Sequence, residues 1–134
     1  LYYDIIFITI FRKVVIMLIR KDYTCPLELV HDMMKGKWKC IIIWRLRLGA
    51  TMPSSLLKDI CGITEKMLHQ HLKELISYGL VEKNTYGKYP LKTEYYLTET
   101  GREILKALEI YQKVGIKYML ENGQENILKE KGLI

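Results

Sequence analysis

The chain has 134 residues, 49% hydrophobic and 27% charged, enough to bury one core and too apolar for intrinsic disorder. That length leaves no room for two independent domains, a large barrel or a repeat array. Twenty-one Lys and Arg against fifteen Asp and Glu give a formal charge of +6, which favours a polyanionic partner without naming one.

The charge is unevenly placed. Residues 12–47 hold nine basic and three acidic side chains, whereas residues 93–134 hold six basic and seven acidic. Three cysteines, Cys25, Cys40 and Cys61, are odd in number and widely spaced. No Cys-x-x-Cys occurs, so neither a zinc ribbon nor a thioredoxin-type centre is readable, and a reduced cytoplasm suits them.

In chain order, residues 5–10 and 14–19 are β-prone apolar runs split by Arg12 and Lys13. Neither reaches the roughly 20 apolar residues of a spanning helix. Basic residues follow the second run, the reverse of a signal peptide, and no membrane association is expected. Residues 1–22 therefore read as an N-terminal extension, either an arm packed on a partner subunit or, over residues 1–16, translated sequence upstream of a start at Met17. The punctuated pattern of a soluble domain begins near Met17, which favours the second reading.

Cys25-Pro26 opens a helix expected over 27–35, stopped at Gly36, and a second runs over 37–48 with Trp38, Ile41, Ile42 and Leu46 on one side. Pro53-Ser54-Ser55 begins a short helix through Ile60. Thr64 is a good N-cap for a helix over 65–78. Residues 80–84 and 93–97 turn β-like around a loop at 86–90, a hairpin with a longer connection. Thr98 caps a long helix over 99–122 whose apolar stripe runs Ile104, Leu108, Tyr111, Tyr118 and Met119. Residues 124–134 form a tail, a short final helix or a frayed end. The fold class is mainly α with a small β-hairpin. Residues 23–123 form a winged helix-turn-helix domain for DNA binding and dimerisation.

At 100° per residue, Leu68, Leu72, Leu75 and Ile76 share a core-facing arc. Lys66, His69, Gln70, Lys73 and Ser77 lie opposite, with no carboxylate among them. Gln pairs bidentately with adenine, and Lys and His reach guanine edges or phosphate. With Thr64 at the cap, this face is the candidate reading surface. A solvated surface helix typically mixes both signs instead. His71 is expected to be a satisfied, partly buried histidine. His69 and His71, two residues apart, point differently and make no metal pair. In the wing, Lys83, Lys88 and Lys92 interleave with Tyr86 and Tyr89, a set suited to phosphates. Tyr95 and Tyr96 are expected to be structural.

These residues resemble the HxlR-type bacterial transcription regulators. The likeness rests on Cys25-Pro26, Gly36-Lys37-Trp38-Lys39, the stretch Gly62 through Leu68, Leu72-Lys73-Glu74-Leu75, Tyr78-Gly79-Leu80-Val81, Glu94-Tyr95-Tyr96-Leu97-Thr98 and Gly101. It covers residues 25–122. It implies a cytoplasmic homodimer, joined through its N- and C-terminal helices, that binds double-stranded DNA at inverted repeats and represses or activates nearby genes. Some members sense oxidants through a cysteine at the position of Cys25, which precedes Pro26 at a helix N-terminus, where the dipole favours thiolate, with Lys21 four residues away. Cys40, beside the 41–43 apolar run, reads as an inert core thiol, and Cys61 as a packing residue of the turn. The chain departs from the family where His71 replaces a common basic residue and where Pro53-Ser54-Ser55 starts the third helix.

No nucleophile elbow, phosphate loop, His-Glu-x-x-His or paired-carboxylate pattern appears, so no enzyme, metal or cofactor is expected. The competing function is a winged-helix protein-interaction or architectural module, which would show exposed apolar residues on the reading face. A small-molecule effector between dimer helices, lined by Trp38, Trp44, Tyr111 and Tyr118, is a further expectation. The long helix is too apolar to stand alone in water. A twofold mate would bury it and set two reading helices roughly 34 Å apart.

Overall fold

A computed structural model describes residues 22–134. The apolar runs at 5–10 and 14–19, the Met17 start and the Lys21 neighbour of Cys25 lie outside the described residues. The elements are α1 (Pro26–Met33), α2 (Trp38–Leu46), α3 (Pro53–Asp59), α4 (Glu65–Ser77), β1 (Val81–Tyr86), β2 (Lys92–Leu97), α5 (Glu99–Glu121) and α6 (Glu125–Glu130).

The central element is α2, which packs on α3, α4, α5 and β2. It buries Trp38, Ile42, Ile43 and Leu46. Around them close Leu56 of α3, Leu68, Leu72 and Leu75 of α4, Leu80, Val81, Tyr95 and Leu97 of the wing, and Leu105 and Leu108 of α5. Each aliphatic side chain taken fully from water contributes roughly 1.5–3 kcal/mol. Ile41 stays partly exposed while Lys39 and Ile43 are buried, so the core-facing arc of α2 is rotated from the stripe the sequence implied.

Two threonines start the two longest helices among the described residues. Both have extended backbone angles that place the hydroxyl over the first turn. Thr64 Oγ1 accepts from Met67 N at 3.2 Å, and Thr98 Oγ1 accepts from Gly101 N at 3.1 Å. Thr98 also donates to the Gly79 carbonyl at 2.6 Å, and its backbone N–H donates to Leu80 O at 3.1 Å. The start of α5 is thereby tied to the end of α4. Gly101 makes this approach possible, because a Cβ there would run into the Leu80 carbonyl oxygen.

The hairpin pairs β1 and β2 antiparallel, from Val81 with Leu97 to Tyr86 with Lys92, so both strands run further toward the tip than the alternation indicated. Thr51, before α3, adds a one-residue bridge to Tyr95 through two backbone bonds of 2.9 Å. This element leaves no period in the sequence. With it, three packed helices and a hairpin form a winged helix-turn-helix. The last residues fold as α6, which buries Leu128.

Candidate nucleic-acid interface

Between α3 and α4 the chain turns through Ile60, Cys61, Gly62 and Ile63. Ile60 and Ile63 are buried, and Gly62 takes φ +89°, a conformation that side-chain-bearing residues rarely adopt. This turn presents α4 outward. Leu68, Leu72 and Leu75 are buried, while Lys66, His69, Gln70 and Lys73 are exposed on the other side and Thr64 is exposed at the N-cap. The structure therefore brings the helical part of the expected set onto one accessible face. Ser77, half-buried one turn beyond Lys73, is engaged locally, its hydroxyl donating to the Lys73 carbonyl at 2.9 Å.

The face is not free of carboxylates. Glu65 Oε1 lies 3.9 Å from His69 Nε2, and Glu74 Oε1 accepts from Gln70 Nε2 at 3.3 Å. Both acids sit one turn from the residue they meet, a contact that facing-side counting overlooks. They orient His69 and Gln70 without covering them. His71 is partly buried as expected, but it is not satisfied. Its Nδ1 is buried without a hydrogen-bond partner, and the nearest Glu74 oxygen stands 3.7 Å away.

Glu74 belongs to a contact that sequence reasoning missed. Its Oε2 pairs at 2.6 Å with Nζ of Lys39 on α2, the one charged side chain buried among the described residues. The Lys39 ammonium also lies 5.7 Å from the Tyr78 ring centroid. Burial alone raises the Glu74 carboxyl. Hydrogen bonds from Lys39 and Gln70, with the charges of Lys39 and His71, outweigh it and hold the group below its ordinary value.

The wing divides its cations. Strand alternation places Lys83 on the face of Val81, and Lys92 on the opposite face beside Tyr86. Lys88 and Tyr89 occupy the tip, with Tyr89 97% exposed. Tyr86 is committed within the hairpin, its hydroxyl donating to Glu94 at 2.6 Å. Tyr96 likewise donates to Glu82 at 2.8 Å, and each hydrogen bond raises the phenol above its ordinary value. Tyr95 is buried and Tyr96 bonded within the hairpin, both structural as expected.

Cys25 is exposed at the N-cap of α1. Burial pushes the Cys40 thiol up, the state of an unreactive thiol. Cys61 is exposed, so its expected packing role does not hold: Ile60 and Ile63 fill the core at the turn and leave it outside. Of the four aromatics expected around an effector, Trp44 and Tyr111 line a groove of about 430 Å³ between α2, α5 and α6. Trp38 is in the core. Tyr118 stands on an outward face of α5 together with Ile110, Tyr111 and Val114, exposed by 60%, 64%, 71% and 50% respectively. The expected single stripe of α5 is therefore two faces, one buried through Gly101, Leu105 and Leu108 and one open.

The family model for the HxlR-like helix-turn-helix matches residues 33–123. The chain belongs to the HxlR-like helix-turn-helix family. MalR of Fusobacterium mortiferum is 40% identical over 97 residues, which cover 72% of this chain and 92% of that protein. The HTH-type transcriptional regulator YtcD of Bacillus subtilis is 36% identical over 91 residues, 68% of this chain and 72% of that one. Among solved structures, the redox regulator HypR in its oxidised form superposes with a TM-score of 0.65 at 34% identity, covering 69% of this chain and 96% of HypR. This HxlR-family chain is thus a helix-turn-helix transcription regulator. Among the described residues no helix is long and apolar enough to cross a membrane.

Proposed function

We propose that this chain is a sequence-specific, cytoplasmic regulator that acts as a homodimer on an inverted-repeat operator, with α4 in the major groove and the wing on the flanking backbone. The observation that carries the reading is the exposed set Lys66, His69, Gln70 and Lys73 on one face of a helix whose other face is locked in the core. In this reading Gln70 and His69 touch base edges. Lys66, Lys73 and the Thr64 hydroxyl meet the bases or the phosphates entering the groove, and Lys83, Lys88, Tyr89 and Lys92 contact the backbone beside it. The open apolar face of α5, with exposed Leu27 and Val30 on α1, supports a twofold mate that buries both. Exposure of Cys25 at the N-cap of α1, and the likeness to the redox regulator HypR, support a redox signal. Oxidation of Cys25 to a sulfenic acid by peroxide, or of two such thiols to an intersubunit disulfide, would shift one α1 against the other.

The test is retention of sheared genomic DNA by the purified protein across a salt series. An inverted repeat with half-sites about one turn apart is expected to be enriched, and Gln70→Ala with Lys73→Ala is expected to weaken binding by about 10- to 100-fold. Removing Lys73 alone lowers the slope of log affinity against log salt by about one. Retention without a common motif would make the same fold an architectural or protein-binding module.

A further inference from the structure

We propose that the groove between α2, α5 and α6 is a binding site for an amphipathic organic anion, an apolar body carrying one carboxylate or sulfonate, and that its occupancy reaches the reading helix through α2. The second half rests on the DNA-reading role proposed above; the first does not. At about 430 Å³ the groove suits a small ligand of one or two rings. Ile41, Trp44, Ile116 and Met119 supply apolar walls, and among the described residues the charges lining the groove are all cationic: Arg45, Arg47 and Lys131 line it and no described Asp or Glu does. Isolated cations on an apolar wall are complementary to one class of small molecule.

Two details favour an anion over a neutral apolar ligand. Arg45 Nε is buried with no hydrogen-bond partner, a donor held ready in a place where leaving it unmet is costly. Arg47 is fixed over the Trp44 ring, 4.4 Å from its centroid, with Nη1 donating to the Trp44 carbonyl at 2.8 Å. That stack makes a flat cationic platform suited to an aromatic acid. Cys40, on the same wall, is held neutral by burial and adds no opposing charge. Opposite, Gly115 leaves the groove open: a Cβ there meets nothing within 4 Å.

The route outward is short. Cys40, Ile41, Trp44 and Arg45 project from α2 into the groove, and Lys39, their neighbour on the same helix, holds Glu74 of α4, which in turn holds Gln70. A ligand that shifts α2 therefore moves the ion pair that positions a reading residue.

Calorimetry of the full-length, DNA-free protein with 1-naphthoate, against neutral 1-naphthylmethanol, tests the site itself. Naphthoate is expected to bind with a Kd of about 100 µM or below and the neutral analogue at least about tenfold more weakly. Arg45→Met is expected to weaken naphthoate about tenfold, and Gly115→Phe, which fills the groove, to abolish binding while the thermal melt shows the fold intact. Absence of naphthoate binding, equal binding of both compounds, or binding unchanged in both variants overturns the site. Saturating naphthoate is then expected to change operator affinity about fivefold or more in the native protein and less than twofold in Lys39→Met, which still binds the compound. Binding without any change in operator affinity overturns the coupling and leaves the site standing. Failure of the protein to retain any operator overturns the proposed function instead.

Discussion

α4 and α5 are both amphipathic, both start at a threonine cap and both bury a leucine face in the same core, yet their outward faces are opposites. That of α4 shows Lys66, His69, Gln70 and Lys73; that of α5 shows Ile110, Tyr111, Val114 and Tyr118. An outward face is free of the packing demands of the core, so its chemistry reports what the helix meets. A polar, hydrogen-bonding face fits a wet, charged surface such as a DNA groove, whereas four large apolar residues within three turns fit a second protein surface.

The sharpest way to break this contrast is to make the α5 face polar. Ile110→Glu with Tyr118→Glu places carboxylates on both sides of a twofold contact, and a dimer is expected to become monomeric by light scattering at micromolar concentration. Affinity for a two-half-site operator should fall about 100-fold or more, because each reading helix then binds alone. A variant that stays dimeric would show that the apolar face of α5 serves another purpose.

Smaller, and felt by both helices, is Gly101→Ala. The added methyl runs into the Leu80 carbonyl where α5 crosses the end of α4, and a loss of about 3 kcal/mol is expected in chemical denaturation. Alanine helps an ordinary helix position by about 1 kcal/mol, so unchanged or increased stability would refute this account of the approach.

The smallest expected effects separate the partners of the Lys39–Glu74 pair. Glu74→Leu strands a buried ammonium and should cost about 3 kcal/mol or less. Lys39→Met leaves a carboxylate that water reaches, and should cost about 1 kcal/mol. The native Glu74 value is depressed, so the pair's contribution is complete at neutral pH. It is lost as pH falls below the usual glutamate range of about 4.3 and through the lower native value. Denaturation between pH 7 and 3 should show that acid-side loss in the native protein and a smaller one in Lys39→Met.

Much of the fold was legible because it is written locally. The caps Thr64 and Thr98, the glycine after each helix and the leucine period of α4 each lie within a few residues of the structure they dictate. What escaped was non-local or too short to show a period. Lys39 and Glu74 are far apart in sequence and meet only because α2 packs on α4. Thr51 joins the wing through its backbone, which has no sequence signature. The α5 stripe misled because two apolar faces of a long helix, offset by about a third of a turn, blur into one band until one of them is seen to be covered. Cys61 misled because its place in the turn suggested packing, whereas Ile60 and Ile63 fill the core there and leave the thiol outside.

The Thr98 hydroxyl has a geometric consequence. It accepts from the first turn of α5 and donates to the Gly79 carbonyl just past the C-cap of α4, so one atom ties the exit of the helix proposed to read the operator to the entry of the helix proposed to join the subunits. In such a dimer the separation of the two reading heads is then set like the span of a pair of calipers with a locked hinge. A stiff span of this kind rejects half-sites moved by a single base pair, and spacing discrimination becomes a property of the subunit's interior, encoded far from any base it touches.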